Sequence, residues 1–597
     1  MPWHFIVYFK QYVLTIQSVS IYIRNMADEK FFLHPRLDWQ RRYEALRASF
    51  IERQPAKIVA DRFGYSPGYI HLLRHQFTHD KIDFSEPVPE QKANRRGVSS
   101  QTREKIRLWR QRNLSAGEIV QLLSEDGLEI SVRTIERILA EEGFPKLPRR
   151  TRIKIGLTVT GAEIPEASRI IDIGQIPSFH FDSPAAGIYL FAPFIEKLGL
   201  EKIVSAAGLP GSKAIGAINY LLSFLALKLL GTERHSHAPD HAFDSGLGLF
   251  AGLNVLPKCT AMSTYSYQLD STHLQKLQLA FVQQANKLGL YDKSVVNLDF
   301  HTIPHFGDQS VLEKHWAGAR NKAMKGALTL FAQDADSKLI VYTAADIHRS
   351  ESDGQVTNFL AYWKKVNRGL LPTFVFDSRF TTYQYLSELN TQGVKFITLR
   401  RRGRKLLDKI DSLEPWIKIS IPHAKRKFPN PLVHTSSITL AGYDGLLRQV
   451  IIRGNGHEKP AFLISNDFDT PVELLVGNYS RRWRVENAIS EAVDFFNLNA
   501  LSSPILIKVH FDVVMTMIAD TLYNMLALKL RGFEQCDAPK IYRNFVKGKA
   551  MVKVKEQQLT VTFPRRAHNP ILRSVPWHHL PSQLSWLNGT QLQLKFE

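Results

Sequence analysis

Apolar residues follow two different rhythms along this chain, and the change falls near residue 294. Before it, apolar residues recur every three to four positions, as they do in amphipathic helices. After it, short apolar runs at 295–302, 326–333 and 339–344 have the length and composition of strands. The pattern then continues as helix, strand, helix and strand to residue 399. The later region is therefore predicted to be a mixed α/β sheet rather than a helical bundle.

Two segments before residue 155 predict helices joined by tight turns. In the first, the helix 56–63 is followed by Gly64 and by Ser66, which can cap the next helix. In the second, Ser115 and Ser131 can cap successive helices. This is the layout of tandem helix-turn-helix units, whose second helix enters the major groove of DNA. For either unit alone, an ordinary helical hairpin is the alternative.

The charge of the chain indicates what kind of molecule it binds. Lys and Arg number 77 against 56 Asp and Glu, which gives a formal net charge of +21. Arg133 and Arg137 stand four residues apart, so they share one face of the third helix of the second unit. Double-stranded DNA is the natural partner of such a surface. The basic runs 148–154 and 400–405 fit the same partner, although each alone is also compatible with a solvated loop.

The composition also limits the cellular setting. Two widely separated cysteines exclude a disulfide framework and favour a reducing cytoplasm, which together with the DNA partner predicts a nucleoid-associated, bacterial protein. Residues 1–25 are apolar but interrupted, and we interpret them as a possible misannotated extension, with a membrane anchor as the alternative. The apolar segments 217–230 and 513–530 are predicted to be buried helices, so no membrane association is expected.

Three acidic residues are the candidate catalytic residues. Asp299 and Asp377 each stand at the end of an apolar strand-like run. If the first strand is central and the fourth lies beside it, their carboxylates are neighbours and repel each other unless a cation is bound. Glu486 follows Arg482 and Tyr479 at spacings of four and seven, on one predicted helix face. The alternative is two ordinary strand ends and an exposed Arg–Glu pair.

At these residues the chain resembles the DDE-type insertion-sequence transposases, which have a ribonuclease-H-like core and the helix signature Tyr-x2-Arg-x3-Glu-x6-Lys. Tyr479, Arg482 and Glu486 match this signature in type and spacing, whereas Val493 stands where the family has Lys. The resemblance covers about residues 186–531. It implies that the three carboxylates bind Mg²⁺, with Mn²⁺ as a substitute, and that Lys508 is a candidate for the missing DNA contact.

The resemblance further implies a β-rich insertion between the second Asp and the Glu. Segments 416–421, 436–440, 446–452 and 461–465 are predicted as strands there. The basic loops 400–405 and 425–427 would line a DNA channel. Trp416 is a candidate for stacking on a flipped base, although an aromatic residue in a β domain is more often part of the core.

Two further residues beside the carboxylates are candidates for contacts with DNA. His301 is a candidate for orienting the scissile phosphate, with a supporting or surface histidine as the alternative. Arg379 is a candidate for a contact with the DNA backbone.

We therefore hypothesise a DNA transposase that binds the terminal inverted repeats of its element, cleaves there and transfers the strand to target DNA, acting as a homodimer in the DNA complex. A catalytically inactive or domesticated sequence-specific DNA-binding protein is the alternative, and a stand-alone nuclease is disfavoured by the tandem units. The expected fold is multidomain α/β. The expected segments are an extension (1–25), a helix-turn-helix unit (26–79), a linker (80–98), a second helix-turn-helix unit (99–154), a connection and helical domain (155–290), a ribonuclease-H-like core (291–399 and 476–535), its β-rich insertion (400–475) and a basic C-terminal region (536–597).

Overall fold

The structure is a computed structural model. It describes residues 38–79, 82, 98–112, 114–144, 166–306, 312–318, 321–345, 347–367, 369, 371–421, 430–456, 459–500 and 505–597. Contacts divide the chain into two compact units, Met1–Gly161 and Ala162–Glu597. The predicted extension 1–25, nearly all of the linker 80–98 and the basic runs 148–154 and 425–427 lie outside the described residues.

The first unit contains two clusters of three helices, each with its own small apolar core. The first core is built around Val59, Phe63 and Ile70, and the second around Ile106 and Ile135. The helices are α1 (Asp38–Phe50), α2 (Ala56–Phe63), α3 (Pro67–Thr78), α4 (Ser100–Gln111), α5 (Ala116–Glu125) and α6 (Val132–Glu141).

The turns and caps of these clusters follow from their sequence. Gly64 ends α2 with a φ of 70°, a backbone conformation that glycine adopts without strain. The side chain of Ser66 then accepts a hydrogen bond from the backbone N–H of Tyr69 and caps α3. Ser115 caps α5 and Ser131 caps α6 in the same way.

The second unit begins with a strand and a group of packed helices. They are β1 (Phe179–Ser183), α7 (Ala192–Leu198), α8 (Leu200–Ala207), α9 (Ala217–Leu229), α10 (Ser245–Phe250), α11 (Cys259–Tyr265) and α12 (Ser271–Lys287). As predicted from its apolar sequence, α9 is buried along most of its length. In the described part of the chain, no helix combines the length and apolar character that crossing a bilayer requires.

A mixed sheet forms the centre of the second unit. Its first strands and helices are β2 (Val295–Pro304), β3 (Lys314–Ala317), β4 (Lys322–Asp334), β5 (Ile340–Ala344), α13 (Gln355–Val366), β6 (Thr373–Val375), α14 (Tyr383–Thr391) and β7 (Phe396–Leu399). The central strand β2 pairs antiparallel with β4 on one side and parallel with β6 on the other. β5 pairs with β4, and β7 pairs with β6. The predicted α/β architecture is confirmed, and the short strand β3 is an addition to it.

The segment between β7 and residue 472 continues the same sheet. Its elements are α15 (Arg404–Asp408), β8 (Ile417–Lys418), β9 (Leu432–Ile438), β10 (Leu447–Arg453) and β11 (Ala461–Ser465). β11 pairs antiparallel with β7, so the sheet runs in the order β3-β4-β2-β6-β7-β11-β10-β9-β8. The helices α16 (Val472–Ser480), α17 (Trp483–Asp494) and α18 (Leu506–Ala527) follow.

The C-terminal region, in which the sequence suggests no clear pattern, is regular. It comprises α19 (Ala538–Ile541), β12 (Ala550–Lys555), β13 (Gln558–Phe563), α20 (Asn569–Ser574), β14 (Gln583–Leu584) and β15 (Thr590–Phe596). These strands and β1 form a second sheet in the order β1-β12-β13-β15-β14. Burial alternates strictly along β12, so Lys553 and Lys555 occupy the solvent face of an amphipathic strand.

Candidate active site

Asp299 and Asp377 occupy matching positions on neighbouring parallel strands. Asn297 of β2 is paired with Val375 of β6, and each aspartate lies two residues beyond this pair along its own strand direction. Asp299 is within β2, and Asp377 directly follows β6 and precedes a short 3-10 turn at Ser378–Phe380. The strand register therefore brings the two carboxylates to the same edge of the fold, as the sequence predicts.

Glu486 comes from the first turn of α17, but the predicted single helix from Tyr479 onward is wrong. Tyr479 belongs to the last turn of α16, and the chain turns at Arg481 and Arg482 before α17 begins. The spacing of three and four residues therefore does not arise from one helix face. Arg482 nevertheless lies 5.9 Å from the centre of the Tyr479 ring, so the junction keeps the two side chains together.

Arg482 links two of the three carboxylates. Its Nη1 donates to Asp299 Oδ2 at 3.0 Å, and its Nη2 donates to Glu486 Oε1 at 2.6 Å. The side chains of Arg482 and Asp299 are 17% and 20% exposed, whereas that of Glu486 is 52% exposed. The first ion pair is therefore largely shielded from water, and charge-assisted bonds of this kind are strong where water is excluded.

The electrostatics of the site penalise its negative charge. The pKa of Asp299 is raised from 3.8 to about 6, chiefly by burial; Arg482 opposes the shift, and the nearby carboxylates of Glu486 and Asp377 contribute to it. Burial also raises the pKa of the Tyr479 hydroxyl to about 12. Burial disfavours the charged form of Arg482, but Asp299, Tyr479 and Glu486 outweigh it and raise the pKa of the guanidinium.

The donor chemistry of Asp299, Asp377 and Glu486 fits a divalent metal ion. All three side chains offer oxygen ligands, which Mg²⁺ prefers, and a cation would relieve the penalty that raises the pKa of Asp299. Among the described residues, however, no three acidic, histidine or cysteine side chains are close enough together to hold an ion. The guanidinium of Arg482 bridges Asp299 and Glu486 instead, so a metal ion shared by these two carboxylates requires Arg482 to withdraw.

Two further candidates lie beside the aspartates. The Nε2 of His301, on β2, is 2.9 Å from Asn499 Oδ1, and burial lowers the pKa of this imidazole. His301 is thus engaged with the turn that follows α17. Arg379 is exposed two residues after Asp377, and the Ser378 hydroxyl donates to Asp377 Oδ1 at 3.1 Å.

Val493 stands in place of the signature lysine, and Lys508 is the candidate for its DNA contact. Val493 is partly buried and packs against the main core of the second unit. Lys508, on α18, places its Nζ 3.9 Å from the centre of the Tyr267 ring.

Trp416 packs on a small cluster of the inserted strands, and the Arg453 guanidinium lies 4.4 Å from its ring centre. These contacts favour the alternative of a structural role for Trp416.

In the first unit, Arg133 and Arg137 are exposed on α6, four residues apart as the sequence predicts. Arg137 forms a long ion pair with Glu141, with 3.8 Å between Nη1 and Oε1. An exposed pair at this distance contributes little to stability. Both guanidinium groups therefore remain on the solvent side of their helix.

Sequence reasoning missed several polar residues around the carboxylates. Asn499 holds His301, and Ser378 bonds to Asp377. The amide of Asn297 donates to the Arg481 carbonyl at 3.4 Å and so connects β2 to the turn before α17. None of these follows a spacing rule. For Asn297, a buried amide within an otherwise apolar strand is the signal that could have identified it.

A comparison with protein families matches residues 290–522 to the transposase DDE domain. This range begins just before β2 and ends within α18, so it contains Asp299, Asp377 and Glu486. A comparison with curated proteins finds no match. This match confirms the resemblance inferred from the signature residues, over residues 290–522 of the chain.

Proposed function

We propose that this chain is the transposase of an insertion sequence, which binds the terminal inverted repeats of its element, cleaves the DNA there and joins the free end to target DNA. The observation that carries the proposal is the convergence of Asp299, Arg482 and Glu486 from β2 and α17, with Asp377 on the adjacent strand. The match to the transposase DDE domain supports the same activity.

The strand order supports a ribonuclease-H-like core. If the short strand β3 is left out, the first five strands of this core in chain order are β2, β4, β5, β6 and β7. Across the sheet they lie in the order β5-β4-β2-β6-β7, which is third, second, first, fourth and fifth. The second strand is antiparallel to the first, and the fourth and fifth are parallel to it. In this arrangement the first and fourth strands present their acidic residues together.

Asp299, Asp377 and Glu486 are the residues proposed to hold Mg²⁺, for which Mn²⁺ would substitute. Bound divalent ions would supply the positive charge that activates an attacking hydroxyl and stabilises the leaving oxygen. The protein itself supplies orientation. The Arg482 guanidinium lies between the carboxylates. Once this guanidinium releases Asp299, it would be placed to bind the scissile phosphate. The Tyr479 ring supports the guanidinium.

Recognition of DNA is assigned to both units. The clusters α1–α3 and α4–α6 are proposed to be helix-turn-helix units, supported by the Gly64 turn and by the serine caps. Arg133 and Arg137 would contact phosphates or guanine edges from α6. Arg379, next to Asp377, and Lys508 are proposed phosphate contacts in the second unit. The net charge of +21 supports a polyanionic partner, and a homodimer would bring two element ends together.

The test is cleavage of DNA that carries the inverted repeats flanking the gene. The protein is expected to nick these ends in Mg²⁺ but not in EDTA. Single changes of Asp299, Asp377 or Glu486 to Ala are expected to abolish nicking while binding of the ends persists. The matched control is Asp444→Ala, since Asp444 is exposed in the insertion. Nicking that survives Asp299→Ala would sink the mechanism, and binding without any nicking would favour the inactive DNA-binding protein.

A further inference from the structure

A small pocket lies beside Asp377, at the carboxyl ends of β6 and β7. It has a volume of about 220 Å³ and is bordered by the turn that follows β6 and by residues at the end of β7. Val375 of β6 pairs with Ile397 of the parallel strand β7, so the chain leaves both strands at the same edge of the sheet. In open α/β sheets, ligands bind outside the carboxyl ends of such strands. The pocket is therefore in a position to hold part of a substrate that reaches Asp377.

The lining of this pocket has the chemistry of an anion site. Of its nine lining residues, five carry hydroxyl groups, three are aliphatic and the remaining one is Arg401. None of these described lining residues is acidic. Hydroxyl and guanidinium groups are the donors that proteins use for phosphate oxygens, and a guanidinium bound to an anion forms strong, charge-assisted hydrogen bonds. The lining thus favours a phosphate group over a cation.

Arg401 is free to bind such a ligand. It is exposed and has no hydrogen-bond or ion-pair partner among the described residues. Its two neighbours in the chain are engaged within the protein: Arg400 Nη1 donates to Gln449 Oε1 at 2.5 Å, and Arg402 Nη1 donates to the Pro460 carbonyl at 3.3 Å. Of these three guanidinium groups, the one that borders the pocket is the one that lacks a partner in the described part of the chain.

Thr382 adds a hydroxyl donor on the wall of the same pocket. Its side chain is exposed, and its Oγ1 accepts a hydrogen bond from the backbone N–H of Tyr385 at 3.5 Å. That bond uses a lone pair of the oxygen and leaves the hydroxyl hydrogen available to a ligand. The Ser378 hydroxyl, in contrast, donates to Asp377 Oδ1, so the wall of the pocket is joined directly to one of the proposed metal ligands.

We propose that this pocket binds a backbone phosphate of the cleaved DNA strand, with Arg401 and Thr382 as its donors. The inference rests on the proposed function, because it adds a DNA contact to the same active site. Neighbouring strands lie about 4.8 Å apart, and successive phosphates of one DNA strand advance about 3.4 Å along the helix axis. The pocket lies one strand spacing beyond the pair β2 and β6, so the phosphate that it holds is about one or two nucleotides from the scissile one. This contact would fix the register of the strand at Asp377.

The test is a scan of methylphosphonate substitutions along a duplex that carries the element end, since each substitution removes the charge of one phosphate. Affinity for the full chain is measured by fluorescence anisotropy in EDTA, and the nick is mapped separately in Mg²⁺. In the wild type, neutralising one phosphate near the nick is expected to weaken binding about tenfold. Arg401→Met should weaken binding of unmodified DNA by a similar factor. It should also remove the sensitivity to that one position and keep the sensitivity to the others.

Arg402→Met is the matched control. It removes the same charge from the adjacent position of the chain, but the Arg402 guanidinium is bonded to the Pro460 carbonyl. This variant should therefore keep the full sensitivity to the phosphate near the nick. Arg401 is exposed and has no partner among the described residues, so Arg401→Met should leave the Tm unchanged, and thermal unfolding checks that it does.

Three results would overturn the proposal. The first is a scan in which Arg401→Met and the wild type are equally sensitive at every position. The second is an equal loss of affinity in the Arg401 and Arg402 variants, spread over all positions, which indicates a diffuse electrostatic effect. The third is inorganic phosphate that binds in an Arg401-dependent manner without competing with DNA, which would assign the pocket to a free anion. Failure of the proposed function looks different, because the wild type would then neither bind the element ends specifically nor nick them.

Discussion

Asp299→Asn is expected to stabilise the metal-free protein while it removes cleavage. Asparagine has nearly the same size as aspartate but carries no charge. Burial and the nearby carboxylates raise the pKa of Asp299 from 3.8 to about 6. At about 1.4 kcal/mol per pKa unit, keeping this carboxylate ionised costs the fold about 3 kcal/mol at pH 7.5. The substitution removes this cost but also one bond of Arg482, so a net gain of about 2 kcal/mol is expected.

The sign of the effect fixes its pH dependence. The folded-state pKa of Asp299 lies above the unfolded value, so the folded protein binds this proton more tightly. The cost of ionisation is absent below about pH 3.8, grows between pH 3.8 and 6, and is complete above that range. The advantage of Asp299→Asn is therefore expected above pH 7 and should disappear as the pH falls to 4.

The measurement is thermal unfolding of the full chain in EDTA at pH 7.5 and pH 4. With an unfolding entropy of about 2 cal/mol/K per residue, a gain of about 2 kcal/mol raises the Tm of a unit of this size by about 2 °C. Asp444→Asn is the control and should leave the Tm unchanged, because Asp444 is exposed. Saturating Mg²⁺ should reduce the difference. A variant that is less stable than the wild type at pH 7.5 in EDTA would refute the reasoning.

Three further variants test other contacts. Arg482→Ala removes the partner of two carboxylates and should destabilise the metal-free protein by on the order of 3 kcal/mol, with partial recovery in Mg²⁺; a Tm unaffected by Mg²⁺ in this variant would contradict it. The Lys228 ammonium donates to the Phe496 carbonyl just after α17 and to the Asp512 carboxylate on α18. Lys228→Met leaves both acceptors without this donor and should cost about 3 kcal/mol in urea unfolding, less if Asp512→Asn is combined with it. Arg133→Ala with Arg137→Ala should weaken binding to all DNA sequences and lower the slope of log affinity against log salt by about two; Lys105→Ala, which removes an ion-paired residue on α4, is the control and should change the slope less.

The carboxylate constellation could be predicted because strand ends and short spacings carry local signals. Asp299 and Asp377 follow apolar runs, and a strand order with the fourth strand beside the first brings them together. The signature spacing of Tyr479, Arg482 and Glu486 selected residues that do contact one another, but not for the predicted reason of a shared helix face. The chain turns at Arg482 between two helices, and Arg482 keeps its neighbours by contacts rather than by helical repetition.

Features that depend on distant pairing could not be predicted. β1 pairs with β12 although about 370 residues separate them, and neither strand is long enough to identify its partner. The lysines of β12 predicted only a basic region, whereas their alternation with buried valines marks a strand that packs one face on the core and exposes the other. The difference between Arg401 and its bonded neighbours likewise depends on which acceptors the folded chain brings to each, which no sequence pattern records.

Because β11 pairs with β7, the inserted strands also cover an edge of the central sheet. Leu463, Ile464 and Ser465 cover the backbone of β7 at Leu399, Thr398 and Ile397. A version of the chain trimmed of residues 400–475 would expose a row of unpaired amides along an apolar strand, which is a template for intermolecular association. The insertion thus covers this edge of the sheet, and attempts to shorten the domain by deleting it are expected to yield aggregates rather than a smaller folded protein.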